Sequence, residues 1–490
     1  MNTTHRRGSA LVLVLVASMF LIILTAGAFR YFQTNVATQI WTRERVQAKL
    51  SAEAGLNLAT HMLTAGASLP TDSIPQDFLG TESVPMDLPG DLGSVYATID
   101  PNNHNSSIIM ANAFLIRCVA NVSGSTVETY GMATIVMPQN LARFSVFMDD
   151  PDLHGYYGDG YRFDGPFYAN GPVWVQSVDF TSDNDVFFYS FELTSDYYAY
   201  GPAKTDATTP AIGKLQMRPY NRLILGPPYF DLGVEPIPFG AAELDWEGVR
   251  NAASSGGLSL TSTEVPNGSR LSLKGDTLFV MRGPSATPTP VAYPLGNMTN
   301  PVVWIANSSS EYFYLRSHQD QDEGLDMALT IGTIGSIYMS GPLFYKNPDP
   351  QDPDNENLLG LLSVQGDMII ADDPDSNQVE WGPEQFQICT DDSVFYCAVL
   401  LALEGVLKAE DHTQPDPVCE FQIIGGYMIQ SEGYTGTGTK GFNMGVYFDP
   451  RLLYMHPPFF PTTANWNTTM WEDLPDLNAN DVHDGPFPPY

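Results

Sequence analysis

The sequence predicts an α+β fold that is mainly β. A long N-terminal transmembrane helix comes first, then a small antiparallel meander, then a right-handed β-solenoid-like domain, with a β-sandwich as the alternative. Three observations carry this reading. Ala10 to Phe29 is a run of twenty residues with no charge and no proline. Helix-compatible sequence then continues without proline to about Ala65. After Pro70 the chain changes to short apolar runs split by Gly, Pro, Asn and Asp.

The apolar run is long enough for a membrane. A helix of that length rises about 30 Å, the thickness of a bilayer's hydrocarbon core. Arg6 and Arg7 stand before it and Arg30 after it. The leading arginines keep the N-terminus cytoplasmic and send the body outward. A secretory signal peptide is the competing reading. The run is too long for a usual signal core, and the sequence continues as a helix past its end. Further on, Ile40, Leu50, Ala54, Leu58 and Met62 recur at helical spacing, and Ala52, Leu56, Ala59 and Leu63 widen the stripe. That is a face for packing on a domain. Gly66 and Pro70 end the helix.

Charge narrows the partners. The chain of 490 residues carries 22 Lys/Arg and 56 Asp/Glu, a formal net charge of −34. Residues 1–50 hold six of the basic side chains and one acid, Glu44. The remaining body repels nucleic acid and anionic lipid, which makes both poor partners for it. Four cysteines (Cys118, Cys389, Cys397 and Cys419) show no C-x-x-C spacing. Four cysteines allow three full pairings. Cys389 and Cys397, eight apart, are the first choice for a disulfide. Cys118 lies in an apolar strand pattern and reads as a buried free thiol.

Arg7-Gly8-Ser9 before an apolar helix resembles the class III leader of type IV pilins and pseudopilins. Ala48-Lys-Leu-Ser-Ala52-Glu53-Ala54-Gly55-Leu-Asn-Leu-Ala59 is similar to the A-x-x-A-E-A-G-x-x-x-A stretch of minor pilin-like proteins, with one residue more between Ala48 and Ala52 than that pattern has. The resemblance covers about the first 65 residues. It implies cleavage between Gly8 and Ser9 by a prepilin peptidase in the inner membrane. It also implies that the helix, with Ala52 to Gly55, packs against other pilin-like subunits. One departure bears on function. Major subunits of that family carry a glutamate at the fifth mature position, which pairs with a neighbour's N-terminal amine. Here that position is Leu13. Its loss resembles the minor pseudopilin at a filament tip, and equally fits a protein that is never assembled.

Three strand patterns follow the helix: Ser94 to Ile99, Ala113 to Val122, and Val127 to Met137. Ser123-Gly124-Ser125 is a hairpin signal. From Phe144 a local pattern recurs, an apolar run followed by a glycine and an apolar pair, at Gly171, Gly341, Gly366, Gly405 and Gly426. Runs of this length at irregular intervals read as stacked rungs with glycine at the corner and loops between rungs.

Two further stretches, Phe163-Asp-Gly165-Pro166-Phe-Tyr-Ala-Asn170-Gly171 and Tyr447-Phe-Asp449-Pro450-Arg451-Leu452, resemble motifs of an uncharacterised bacterial envelope family. That family joins a pilin-like N-terminus to a solenoid-like domain. Their own chemistry reads as structural. Asp164-Gly165-Pro166 and Asn170-Gly171 are turns. Asp449 caps a turn, Arg451 pairs with a carboxylate, and Pro457 to Pro461 lay aromatics over the solenoid end.

Catalytic signatures are missing. There is no H-E-x-x-H, G-x-S-x-G or P-loop, and the glycines around Lys440 have the wrong spacing for a phosphate cradle. Asp149/Asp150 and Asp391/Asp392 are adjacent, so on a strand they face opposite ways. No metal site is assigned. Asp320 to Glu323 with Asp326, and Asp349 to Glu356, read as solvated acidic loops. Calcium is the one cofactor they leave open.

The expected organisation is a leader (1–8), a transmembrane and extended helix (9–69), a pilin-like antiparallel sheet (70–142), a β-solenoid-like domain (143–461) and a loop-like tail (462–490). The function this implies is structural and non-enzymatic: a minor pilin-like subunit of a type IV pilus or type II secretion-like machine, at its tip. The N-terminus is cytoplasmic, the span single, and the body periplasmic or extracellular. A membrane-anchored module that binds glycan or a surface partner is the alternative. A solenoid polysaccharide hydrolase or lyase ranks third.

Overall fold

The computed structural model describes residues 5–64, 76–90, 93–100, 114–121, 130–152, 156–157, 161–175, 187–188, 190–200, 205–208, 216–217, 229–282, 290–317, 323–347, 349, 352, 355–371, 394–413, 419–436, 440–453 and 455–474. One long helix precedes a chain that is mostly β, as the α+β, mainly-β reading requires. The chain divides into two units.

The first unit opens with α1 (His5–Thr64). Strands β1 (Gln76–Leu79), β2 (Met86–Asp87), β3 (Ser94–Asp100), β4 (Phe114–Asn121) and β5 (Tyr130–Asn140) follow. β1, β3, β4 and β5 pair in that order, with β2 on β3. The described pairs are antiparallel. β3, β4 and β5 fall where the three strand patterns lie. The C-terminal half of α1 covers this sheet, and Ala52, Leu56, Ala59 and Leu63 join Val95, Ala97, Ile116 and Cys118 in one core.

The tail departs from expectation. Thr462–Leu474 is a strand that pairs with β5 at the edge of the first sheet. Its Asn, Asp and Pro content suggested a loop. Thr462, Thr463, Trp466, Thr468, Thr469 and Trp471 supply the β-formers that content masked. In chain order, residues 141–461 are therefore inserted between two strands that are neighbours in one sheet.

Within the second unit, ten strands form one parallel ladder. In spatial order they are Leu258–Thr261, Val302–Ala306, Ala328–Thr333, Leu358–Ser363, Val394–Ala409, Cys419–Glu432, Val146–Met148, Phe167–Ala169, Ser190–Leu193 and Tyr229–Leu232. A second parallel ladder runs Ser269–Lys274, Tyr312–Ser317, Ser336–Met339, Met368–Ile370 and the end of Val394–Ala409. A third joins Val394–Ala409 and Cys419–Glu432 to Phe442–Phe448, Arg162–Phe163, Phe187–Phe188 and Gln216–Met217. Such pairing differs from the antiparallel sheets of a β-sandwich.

The order along the main ladder has a topological meaning. Residues 146–232 stack away from Val146, whereas residues 258–432 stack toward it from the opposite end. The two stacks meet where Tyr427, Met428 and Ile429 pair with Val146, Phe147 and Met148. Both stacks run in the same sense along the ladder, and the chain passes from one end to the other between Leu232 and Leu258. Sequence repeats alone gave no hint of this, because parallel strands pair regardless of their separation along the chain.

Burial explains the composition. On the main ladder Val303, Ile305, Leu329, Ile331, Leu359 and Leu361 face an inner core. The opposite face, with Val302, Trp304, Leu358, Leu362 and Leu401, is also buried, against α2 (Trp246–Gly256) and Phe460. Strands covered on both faces read as continuous apolar runs. Asp245 starts α2 by accepting from Gly248 N–H at 3.0 Å.

The corner glycines stack directly. A methyl on Gly366 would lie 2.4 Å from the Gly335 carbonyl carbon, and one on Gly405 would lie 2.0 Å from the Gly366 oxygen. Backbone-to-backbone contact at this corner excludes any side chain. Ser363 Oγ donates to Gly335 O at 2.8 Å and so satisfies the buried turn.

Candidate functional site

Four arrangements are built well enough to carry function or explain the motifs. The first is α1. Residues 11–43 are solvent-exposed on every side, and Leu13 is 73% exposed. Among the described residues, α1 is the one helix long and apolar enough to cross a membrane. Thr34, Thr38 and Thr42 donate their hydroxyls to the carbonyls four residues earlier. Gly8 and Ser9 are helical.

The A-E-A-G stretch has a packing role. Ala52 is fully buried, Glu53 and Ala54 are half-buried, and Gly55 is buried against β3 and β4. A methyl on Gly55 would meet Cys118 Sγ and Val95. Cys118 is a free thiol, as its strand pattern suggested, and burial pushes it up to about 12.

The second arrangement joins the stretches Phe163 to Gly171 and Tyr447 to Leu452. A methyl on Gly165 would stand 2.3 Å from Phe448 Cβ. Phe163 is fully buried, and Pro166 O accepts from Ser145 N at 2.8 Å and Oγ at 2.9 Å. Asn170 Nδ2 donates to Asp149 Oδ1 at 2.6 Å and to Ile237 O at 2.7 Å, while Asn170 Oδ1 accepts from Ile237 N–H at 3.1 Å. Gly171 lets Asp150 O approach, since a methyl there would come within 1.9 Å. The motif thus fastens the segment around Ile237 to the ladder. Burial pushes the Asp149 carboxyl up, and the Asn170 hydrogen bond opposes this.

Asp449 and Arg451 form a buried ion pair. Arg451 Nη2 reaches Asp449 Oδ2 at 2.6 Å, and Nε donates to Oδ1 at 3.0 Å. Nη1 and Nη2 donate on to Asn355 O and Asn357 O at 2.9 and 3.1 Å. Arg451 N–H also donates to Asp449 Oδ1, the turn cap expected of that aspartate. Pro450 opens the short 3-10 turn Pro450–Leu453. Both roles expected of Asp449 and Arg451 are present.

The Pro457–Pro461 segment lies elsewhere than expected. Thr330 Oγ1 donates to Pro458 O at 2.5 Å, and a methyl on Gly360 would meet Phe460 and Pro457 at 2.7 Å. Thr330 and Gly360 sit mid-ladder. The segment therefore covers a face of the ladder and not its end, because the missing side chain of Gly360 leaves a slot there.

The third arrangement is an outward row on the second ladder. Phe313, Leu315, Ile337 and Met339 point into the core, which turns Tyr312, Tyr314 and Tyr338 outward, half-buried. Tyr314, Tyr338, Ile369 and Lys408 are in register on successive strands. Tyr312 and Tyr338 have ring centroids 4.6 Å apart, and Tyr314 crosses them at 5.6 and 5.3 Å. Lys408 Nζ pairs with Asp367 Oδ2 at 2.6 Å. Burial, neighbouring phenols and Glu410 hold the Tyr314 hydroxyl well above the usual phenol range. Sequence reading missed this row, although the alternation Tyr312-Phe-Tyr314-Leu was its signal.

The fourth is internal. Glu432 directs its carboxyl at Tyr157 and Tyr427, and burial pushes it up to about 8. The residue is partly exposed, yet Oε2 is sealed from solvent.

The disulfide expectation is corrected at one end. Cys397 is a free thiol, 3% exposed in the inner core, and burial pushes it up to about 11. Cys389 lies outside the described residues. His154 and Asp320 to Asp322 also lie outside them. His456 is buried beside Pro457 O at 2.9 Å, and burial lowers its pKa. Glu323 pairs with Lys274 and Asp326 with Lys346, each at 2.5 Å. Asn355 Nδ2 donates to the carbonyls of Asn347 and Asp349 at 2.9 and 2.7 Å, which folds that acidic loop on itself. Among the described residues, no group of three or more His, Cys, Asp or Glu is placed to hold a metal ion.

No protein-family model matches the chain, and no curated protein matches it. Among solved structures, it is similar to the competence-associated pilin ComZ from Thermus thermophilus. That match has 12% identity and a TM-score of 0.29, and covers 88% of this chain and 97% of that one. A likeness this distant carries no argument here.

Proposed function

We propose that the chain is a minor pilin-like subunit of a type IV pilus or type II secretion-like machine. The observation that carries this is α1: exposed and apolar through its first half, seated on an antiparallel sheet through its second. An apolar helix surface bare on every side needs lipid or other helices to cover it. In this reading a prepilin peptidase cuts after Gly8 on the cytoplasmic side of the inner membrane. The helix then serves first as a single-pass anchor and afterwards as the packing element between subunits. The body, read as a right-handed β-solenoid, is carried on the periplasmic or extracellular side. Its work is structural, and no catalysis is assigned to it.

The tip is the favoured position. Leu13 offers no carboxylate to a neighbour's amine. A body of this length is roughly 50 Å across by compact-domain scaling, whereas packed helices lie about 10 Å apart. Repeated along a shaft, such heads would clash. Immunogold labelling of wild-type filaments tests this: label confined to ends is expected, and label spread along shafts contradicts it. Absence from filaments in cells that retain the protein in membranes would favour the anchored binding module.

A further inference from the structure

We propose that the cluster Tyr312, Tyr314 and Tyr338 is a binding site for a neutral glycan. The inference goes beyond the anchoring role above and does not rest on it.

The argument begins with what the face offers. Three half-buried phenol rings meet at crossed angles (39°, 85° and 64°), so the outward side of the cluster combines aromatic carbon with phenol hydroxyls. At its side stand the ion pair Lys408–Asp367 and the carboxylate of Glu410, whose charge acts on both Tyr314 and Tyr338. Burial first of all holds the Tyr314 and Tyr338 hydroxyls above the usual phenol range, so both stay protonated at neutral pH.

A pyranose ring matches this combination. Its C–H face packs on an aromatic ring, while its hydroxyls donate to carboxylates and accept from ammonium and phenol groups. An apolar peptide could pack on the rings but would desolvate the charged rim without hydrogen-bonding to it, at a cost. Anionic glycans are disfavoured by the whole chain's charge of −34. Tyrosine suits such a site because it supplies a large rigid surface with a polar tip at little entropic cost.

Retention on insoluble polymers tests the proposal. The full chain, purified in detergent, is passed over chitin, cellulose and amylose, with immobilised polygalacturonate as the anionic control. Retention is expected on at least one neutral polymer and not on the control. Tyr338→Ala and Tyr314→Ala should each weaken it about tenfold, the scale of one lost aromatic contact, with thermal melting unchanged. Tyr338→Phe, which keeps the ring, should retain most of the binding. Should the alanine variants melt early, Glu410→Gln decides at the rim: loss of retention with wild-type melting supports the site, and unchanged retention overturns it. Retention on none of the neutral polymers, retention on polygalacturonate alone, or full retention by folded Tyr314→Ala/Tyr338→Ala protein overturns the proposal. None of these readings depends on leader processing, so failure here leaves the anchoring role standing.

Discussion

A methyl group placed on Gly55 would stand 2.4 Å from the sulfur of Cys118. The glycine of the A-E-A-G stretch is thus what lets α1 lie close on the first sheet, with Val95 closing the other side at 3.2 Å. Two effects oppose each other in Gly55→Ala. Helix propensity favours alanine by about 0.8–1 kcal/mol, and overpacking costs about 1–3 kcal/mol. The single variant is therefore expected to be less stable than wild type. In a Cys118→Ala background the sulfur is gone, and Gly55→Ala should become neutral or stabilising. Thermal unfolding of the four-member cycle checks this.

Arg451 ties Asp449 to the Asn355–Asn357 segment inside the second unit. Removing one partner leaves the other charge buried, which costs about 3–5 kcal/mol. Arg451→Met should lower the denaturation midpoint of the body strongly. Adding Asp449→Asn to it should recover part of the loss. Denaturant titration followed by tryptophan fluorescence measures both.

Glu432 predicts a dependence on pH. Its folded pKa stands near 8, against an ordinary 4.5. Below pH 4.5 the carboxyl is protonated in folded and unfolded chains alike, and contributes no pH dependence. Between about 4.5 and 8 the unfolded chain gives up the proton and the folded chain keeps it. Stability therefore falls as pH rises through that window. Glu432→Gln keeps the shape and should flatten the slope between pH 5 and 8. The phenols facing the carboxyl, Tyr157 and Tyr427, are both held well above the ordinary phenol value and do not titrate there. An unchanged slope in the variant would reject this assignment.

The glycine corner is testable by one atom. Gly405→Ala sets a methyl against the Gly366 carbonyl oxygen, which cannot turn aside as a side chain could. The body should lose about 1–3 kcal/mol or more. Gly90→Ala, in open space but with φ of +74°, should lose only about 1–2 kcal/mol of left-handed backbone strain.

Much of this fold was legible beforehand, for identifiable reasons. α1 was plain because twenty uncharged residues and a helical stripe leave few alternatives. β3 to β5 were plain because apolar alternation and a hairpin signal bracketed them. Gly366 stands in a turn without room for a side chain, as the recurring glycine suggested, and Gly405 at a register break inside Val394–Ala409, whereas Gly426, expected at a corner too, lies mid-strand opposite Val399. What escaped was non-local. The pairing of Thr462–Leu474 with β5, across the whole inserted body, leaves no trace in its own composition. The meeting of two stacks at Val146 and Tyr427 joins residues far apart in sequence. The tyrosine row was hidden because Tyr also fills cores, and only the strand phase of Phe313 and Ile337 turns it outward. Pro457–Pro461 was read by its aromatics, while its seat was decided by the absent side chain of Gly360.

The central claim is that α1 is the processed anchor and packing helix of a pilin-like subunit. It is tested most directly by the mature N-terminus. Protein extracted from the membranes of cells with an active prepilin peptidase would be examined by intact-mass and N-terminal peptide mass spectrometry. The account predicts a chain that begins at Ser9, with Arg7-Gly8 removed and the whole of Ala10 to Phe29 retained. A chain that still begins at Met1, or one cut within or beyond Ala10 to Phe29, would contradict it.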